Sequence, residues 1–253
     1  MSKTINDRLS NRETLIGQWI SLSDPAVVEA LVHTGHDFLL IDGEHSPLGE
    51  SELPNLLRAA KGGNAACIYR VRENSEHLIK MALDLGADGV MVPRINSAAE
   101  AQHAVNAAKY LPLGKRGIGP WRASNYYQNF SEYVASANET TALILQIEDT
   151  VAISNLDAIL EVNGIDALYI GPADLSASMG LFNQREHPDF LAAIETVRSK
   201  CEAAGIPLGF DASDVAHLKE LSSQGFQLLT LGSDIDYLIS GASALAAEIR
   251  KET

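Results

Sequence analysis

The chain has 253 residues, 46% of them hydrophobic, and 33 acidic against 19 basic residues give it a formal net charge of −14. So acidic a protein repels a phosphate backbone, which argues against a nucleic-acid partner, and no run of residues approaches the ~20 apolar positions of a membrane span. The N-terminal stretch lacks the apolar core of an export signal, and the two cysteines, Cys67 and Cys201, are typical of reduced thiols, so we predict a cytoplasmic protein.

Apolar, strand-like runs alternate with helical stretches along the chain. Eight strands are predicted, around residues 15–20, 37–42, 66–71, 88–92, 142–148, 167–171, 207–210 and 228–232. Strands separated by helices of about ten to fifteen residues indicate βαβ units and a parallel sheet. The strand count predicts an α/β fold with a single (β/α)8 TIM barrel over residues 1–253, and an open doubly wound sheet is the competing architecture.

Glycines lie at the ends of several predicted helices, shortly before the next strand begins. A glycine in this position supplies the left-handed cap that closes a helix. Three of these glycines are followed two residues later by an aspartate at the beginning of a strand, and we predict a structural capping role for all three: Asp37, Asp88 and Asp166.

Polar side chains follow the predicted strands. The carboxyl ends of barrel strands form one rim, where active sites are assembled. His45 is a candidate base there because an unperturbed imidazole titrates near neutrality. Arg70 fits a functional cation, a surface charge or an ion-pair partner of Asp42 or Glu148. The rim candidates in chain order are Gln18, Trp19, Asp42, Glu44, His45, Arg70, Gln146, Glu148 and Asp174.

Glu148 and Asp174 follow adjacent predicted strands, so their carboxylates can meet. Two close carboxylates share either a proton or a cation, and a set made only of oxygen ligands favours a hard ion such as Mg²⁺ or Mn²⁺. The competing interpretation is a structural cluster neutralised by Arg70. None of the eight lysines follows a predicted strand, which disfavours Schiff-base chemistry.

Four segments and the strand ending in Arg70 form a recognisable set along the chain. The segments are LLIDGEHSP (39–47), LDLGADGVMVP (83–93), LILQIED (143–149) and IGPADLSASMG (170–180). Together they resemble the HpcH/HpaI family of metal-dependent class II pyruvate aldolases. The resemblance extends over residues 15–235 in the expected order. It implies a TIM barrel and a homohexamer, a dimer of trimers built from swapped dimers, in which the C-terminal helix is exchanged with a neighbouring subunit.

The resemblance also implies roles for individual residues. Glu148 and Asp174 would bind the divalent metal ion, Mg²⁺, Mn²⁺ or Co²⁺, and His45 would act as the base. Arg70 would stabilise the pyruvate enolate, and Asp84 would reach His45 from an adjacent subunit. Substrate contacts are expected from Trp19, Gln146, Gly171, Pro172, Ala173 and Asp174.

The implied reaction is the reversible cleavage of a 4-hydroxy-2-keto acid to pyruvate and an aldehyde. The segment RASNY (122–126) is similar to the branch acting on 2-keto-3-deoxy sugar acids, which we prefer over a 4-hydroxy-2-oxoheptanedioate-like diacid. Residues 114–127 either reach an acidic substrate tail through Arg116 and Arg122 or form an interface or surface loop. The alternatives are an acyl-CoA lyase of the citrate lyase β-chain or malyl-CoA lyase type and a non-catalytic keto-acid-binding barrel. Replacing Arg70 or His45 with alanine is expected to leave folding normal and to remove most aldol cleavage.

Overall fold

Eight parallel strands close into a barrel in the computed structural model, which describes residues 3–251. The strands are β1 (Leu15–Ile20), β2 (Phe38–Asp42), β3 (Ala66–Arg70), β4 (Gly89–Val92), β5 (Ala142–Ile147), β6 (Ala167–Ile170), β7 (Leu208–Ala212) and β8 (Leu228–Ser233). Each strand pairs with the next in sequence, and β8 pairs with β1. The predicted TIM barrel is therefore confirmed, and closure rules out the open sheet.

Helices follow the strands and surround the barrel. Within residues 3–251 they are α1 (Ile5–Ser10), α2 (Pro25–Leu31), α3 (Leu53–Ala59), α4 (Glu76–Asp84), α5 (Ala98–Ala108), α6 (Phe130–Thr140), α7 (Thr150–Ser154), α8 (Leu156–Leu160), α9 (Pro172–Ser178), α10 (Pro188–Ala204), α11 (Val215–Ser223) and α12 (Asp234–Ile249), with a short 3₁₀ turn at Ala60–Gly62. None of the helices in this range combines the length and the apolar character needed to cross a membrane.

Side chains alternate between two cores because successive strand residues point to opposite faces. The barrel interior holds residues such as Phe38, Ile68 and Tyr169, and Leu9 of α1 packs against this set at the amino-terminal end. A much larger core lies between the strands and the surrounding helices. Gly17 is needed on β1 because the ring of Phe38 occupies the space that a β-carbon would take.

The three predicted aspartate caps are confirmed at the amino-terminal end of the barrel. Each carboxylate accepts the backbone N–H at the beginning of a neighbouring strand, so it satisfies a donor that the sheet leaves unpaired. The bonds run from Ile16 N to Asp37 (2.8 Å), from Cys67 N to Asp88 (2.7 Å) and from Leu143 N to Asp166 (2.7 Å). This end of the barrel is therefore built for stability, and the polar side chains at the other end are available for function.

Candidate active site

Most of the predicted site residues meet at the carboxyl end of the barrel. Trp19 on β1 points inward, because its ring lies over the guanidinium of Arg70 and edge-on to Tyr169. Its neighbour Gln18 therefore points to the outer face, where neither atom of its buried amide has a hydrogen-bond partner among the described residues. Gln18 was a rim candidate, and the structure places it outside the site.

Arg70, the last residue of β3, is held on two edges and one face. Its Nε and Nη2 donate to the two carboxylate oxygens of Asp42 at 2.9 and 2.8 Å. Its Nη1 lies 3.1 Å from Oε2 of Glu44, and its central carbon lies 4.5 Å from the centre of the Trp19 ring. Such a two-pronged ion pair fixes one edge of a guanidinium. Of the two ion pairs expected from the sequence, with Asp42 or with Glu148, the structure contains the one with Asp42.

The Asp42–Arg70 pair is buried, with 8% and 9% of the side chains exposed. Burial alone raises the pKa of Asp42, but the hydrogen bonds and charge of Arg70 more than offset this, and the net pKa is lowered. The carboxylate is therefore ionised at neutral pH. It also accepts the backbone N–H of Glu44 at 2.9 Å and of His45 at 3.3 Å, so it shapes the turn that presents both residues.

Glu44 and His45 leave this turn in different environments. Burial raises the pKa of Glu44, and the charges of Arg70 and His45 oppose that shift. The side chain of His45 is 62% exposed, and its Nε2 lies 3.8 Å from Oε2 of Glu44. In a single chain the candidate base therefore stands at the edge of the site and faces solvent. Glu44 is more buried than His45 and contacts Arg70 directly, which its place among the rim candidates did not predict.

Glu148 is the buried carboxylate at the centre of the rim, directly after β5. Its Oε1 accepts the backbone N–H of Arg94 at 2.8 Å, and its Oε2 accepts Nε2 of Gln146 at 3.0 Å. Burial, followed by the negative charge of Glu44, raises its pKa to about 7, and Asp174 adds to the effect. Glu148 thus lies among other carboxylates and carries its charge at a cost.

Gly171 brings the backbone after β6 close to Glu148. A β-carbon at this position would collide with Oε2 of Glu148 and would lie 2.9 Å from its Cβ. The next residues open α9, in which Pro172 is buried while Ala173 and Asp174 are exposed toward the rim. The first turn of a helix has unpaired backbone N–H groups, so this segment can offer both donors and the Asp174 carboxylate to a small molecule.

These residues fit a divalent cation. Within residues 3–251 no group of three or more His, Cys, Asp or Glu side chains is arranged to hold a metal ion. A set of two carboxylates is nevertheless suited to a hard ion that keeps several waters, and the pKa of Glu148, raised first by burial, is raised further by the negative charges of Glu44 and Asp174. The Oε1 of Gln146 is buried without a hydrogen-bond partner among the described residues, so it adds an unused oxygen beside Glu148.

Asp84 lies away from this cluster within one chain. It is the last residue of α4, and because barrel helices run back from the rim, it lies toward the opposite end. Its Oδ1 accepts Nη2 of Arg116 at 2.5 Å, and burial raises its pKa against the opposing charge of that arginine. The Arg116 side chain is fully buried and stacks over Tyr110. Arg116 therefore holds Asp84 in place, a role that was not predicted.

Comparison with known proteins agrees with the fold. The family model described as HpcH/HpaI aldolase/citrate lyase matches residues 15–241. A 2-keto-3-deoxy-L-rhamnonate aldolase of Salmonella typhi is 39% identical over 235 residues, which cover 92% of this chain and 88% of the relative.

Solved structures give the same result. A HpcH/HpaI aldolase/citrate lyase family protein from Burkholderia cenocepacia superposes with a TM-score of 0.92 at 32% identity and covers 97% of this chain and 98% of its own. A HpcH/HpaI aldolase from Desulfitobacterium hafniense gives 0.91 at 29% identity, with 100% and 98% covered. The predicted family and the predicted lyase class are confirmed. The chain belongs to the HpcH/HpaI aldolase/citrate lyase family.

Proposed function

We propose that this protein is a divalent-metal-dependent aldolase that reversibly cleaves a 2-keto-3-deoxy sugar acid to pyruvate and an aldehyde. One observation carries the proposal: a fixed guanidinium, Arg70, stands at the same rim as the buried Glu148 and its neighbour Glu44. Aldol cleavage requires an oxyanion to be stabilised next to a bound keto acid, and this pairing of charges provides for both. The preference for a sugar acid follows the name of the Salmonella typhi relative.

Glu148 and Asp174 would hold the cation, with Mg²⁺, Mn²⁺ or Co²⁺ as the candidates. When bound, such an ion would supply Lewis acidity toward the oxygens of the keto acid. Gln146 would contact the substrate from β5, and the backbone of Gly171, Pro172 and Ala173 would contact it from the beginning of α9.

Arg70 and His45 would carry the bond-breaking step. His45 would remove the proton of the C4 hydroxyl, directly or through a water molecule, as the C3–C4 bond breaks. The electron pair of that bond becomes the pyruvate enolate, whose oxygen Arg70 would stabilise by hydrogen bonding. The aldehyde leaves first, and protonation at C3 then gives pyruvate. Trp19 would close one side of the site, because its ring covers a face of Arg70.

Self-association would complete the site. We infer a homohexamer, a dimer of trimers in which α12 is exchanged with a neighbour. This inference is supported by apolar side chains on that helix that stay exposed in one chain: Leu238, Ile239 and Leu245. Trp121 and Ile118 of the 114–127 segment are also exposed, and this segment packs against the end of α4 through Arg116. An interface there would bring Asp84 of one chain toward His45 of another.

The cellular location is proposed from the thiols. Cys67 and Cys201 are both free and buried, on different elements of the fold. Protein thiols stay reduced in the cytosol. We therefore propose a cytoplasmic enzyme with small-molecule substrates.

The test is exchange of the pyruvate methyl protons in D₂O, followed by NMR. Exchange that requires a divalent ion and stops with EDTA supports enolate formation without any knowledge of the aldehyde. The second stage is cleavage of 2-keto-3-deoxy sugar acids, with pyruvate release coupled to lactate dehydrogenase. No exchange with Mg²⁺, Mn²⁺ or Co²⁺ would contradict the aldolase proposal, and binding of CoA thioesters would then favour the acyl-CoA lyase alternative.

A further inference from the structure

A hydrogen-bonded network crosses the barrel interior beside Arg70 and is not part of the reaction described above. It joins four strands: Trp19 on β1, Tyr169 on β6, Asp211 on β7 and Thr230 on β8. The Tyr169 hydroxyl lies 2.5 Å from Oγ1 of Thr230, and this Oγ1 donates to Oδ1 of Asp211 at 2.7 Å. The indole Nε1 of Trp19 lies 3.2 Å from the same Oδ1 and 3.1 Å from Thr230 Oγ1.

The directions of these bonds follow from the chemistry of Asp211. An ionised carboxylate only accepts, and the indole N–H only donates. Thr230 therefore gives its single proton to Asp211 and accepts the proton of Tyr169. Every donor in the network therefore has an acceptor, and Asp211 is the acceptor at which the network ends. If the carboxylate is lost, Thr230 and Trp19 lose their common acceptor together.

The network reaches the reacting region through Trp19. The centre of its ring lies 4.5 Å from the central carbon of the Arg70 guanidinium, and two nitrogens of the same guanidinium donate to Asp42. The carboxylate of Asp42 fixes one edge of the guanidinium, and Glu44 contacts Nη1 at 3.1 Å. Neither carboxylate covers a face of the guanidinium, so its plane can still tilt about the line that joins Asp42 to Arg70. A ring against one face blocks that tilt, but only if the ring itself is fixed.

The indole of Trp19 is contacted by a ring and by two hydrogen-bond acceptors. Tyr169 contacts the indole edge-on, with ring centres 6.3 Å apart and planes at 88°, so one face of the indole is left for Arg70. The polar end is held by the bonds to Asp211 and Thr230. Oδ2 of Asp211 accepts no hydrogen bond from the described residues, so one oxygen of the carboxylate serves the network and the other does not.

We propose that Asp211 is a positioning residue that acts through Trp19 to hold the Arg70 guanidinium in its reactive orientation. This inference rests on the proposed function for its kinetic consequence, but its structural part does not. It requires the acceptor at Oδ1 and not the negative charge of the carboxylate. Asp211→Asn, whose amide oxygen can take over the acceptor role, and Asp211→Leu, which has none, are therefore a matched pair.

The chain has two tryptophans, Trp19 and Trp121, so a Trp121→Phe background leaves Trp19 as the only indole emitter. In this background we would measure steady-state anisotropy and acrylamide quenching of Trp19 for Asp211, Asp211→Asn and Asp211→Leu. The pyruvate methyl exchange rate would be measured on the same proteins as a function of pyruvate concentration. Circular dichroism would verify that each variant is folded, and Thr230→Val is the second variant if Asp211→Leu does not fold.

Asp211→Leu is expected to lower anisotropy and to slow exchange at saturating pyruvate by about tenfold or more, since a misplaced transition-state contact lowers kcat and has less effect on KM. Asp211→Asn should stay within about threefold of the parent. Thr230→Val should show the same two changes at smaller size. The proposal is overturned if Trp19 anisotropy is equal in all variants, or if Asn and Leu slow exchange equally. If the parent itself shows no exchange, the proposed function fails, and the fluorescence comparison alone decides the positioning contact.

Discussion

Arg70→Ala is expected to destabilise the fold as well as to remove activity. The arginine neutralises Asp42, and both side chains are under 10% exposed. Removing one partner of a buried ion pair leaves an uncompensated charge and costs about 3–5 kcal/mol. The expectation from sequence that this variant folds normally therefore does not follow from the structure. His45→Ala is the matched control, because its side chain is 62% exposed and its loss should change stability by about 0.5 kcal/mol or less.

The pH dependence of this loss gives a second readout. In the wild type the pKa of Asp42 lies below its usual 3.8, so the ion pair stabilises the fold above that value and is lost only in stronger acid. Without Arg70 burial dominates, the pKa of Asp42 rises above that of the unfolded chain, and protonation then favours the folded state. The stability gap between wild type and Arg70→Ala should therefore narrow as the pH falls from about 7 to about 5.

Urea denaturation followed by circular dichroism measures both quantities. We would compare wild type, Arg70→Ala, His45→Ala and the double variant Asp42→Asn with Arg70→Ala at two pH values. The double variant should recover about 1–2 kcal/mol at neutral pH, because the buried charge is gone. Two results would refute the reasoning that the pair is buried and strongly coupled. One is a loss of unfolding free energy below about 1 kcal/mol for Arg70→Ala, and the other is a stability difference between wild type and Arg70→Ala that widens in acid.

Three further predictions concern the metal site and the opposite end of the barrel. Burial and nearby carboxylates raise the pKa of Glu148 to about 7, so protons should compete with the cation and Mn²⁺ affinity should fall about tenfold per unit below that pH, measured by calorimetry; a flat profile would contradict this. Gly171→Ala should weaken Mn²⁺ binding by at least about tenfold, since the new methyl collides with Glu148, and unchanged affinity would contradict it. Lys109→Met should lower the free energy of unfolding, measured by urea denaturation, by about 3–5 kcal/mol, because it removes the ion-pair partner that lies 2.6 Å from Asp166. It should leave methyl exchange unchanged, and loss of exchange in a folded protein would contradict the separation of the two ends.

The barrel could be predicted because its signals are local and repeated. Each strand is a short apolar run, and glycines with positive φ, such as Gly35, Gly86 and Gly164, end the preceding helical segments. The aspartates two residues later each accept a hydrogen bond from a backbone N–H of the preceding strand. A signal repeated several times survives an error of one or two residues at each boundary, which is the size of the differences between predicted and observed strands.

The hydrogen-bonded network around Asp211 could not be predicted, because no local signal in the sequence marks it. The seventh strand was expected to end at residue 210, whereas β7 continues to Ala212 and includes Asp211. A carboxylate within a strand is uncommon, because strands favour β-branched and aromatic residues. Its partners Trp19, Tyr169 and Thr230 lie on three other strands, and only closure of the barrel brings them together. Likewise, no local pattern shows that Arg116 would hold Asp84.

The charges at the rim account for why this site would use a cation and not a second arginine. Asp42 and Glu44 both lie against Arg70, so its single positive charge is already shared before Glu148 and Asp174 are counted. Burial raises the pKa of Glu148 first, and the surplus negative charge of Glu44 and Asp174 raises it further. A second guanidinium would neutralise the surplus, but it would also fill the hydrogen-bonding positions of both carboxylates. A hydrated dication neutralises the same charge and keeps ligand positions that a keto acid can take over, so the surplus of carboxylates is what an aldolase of this kind requires.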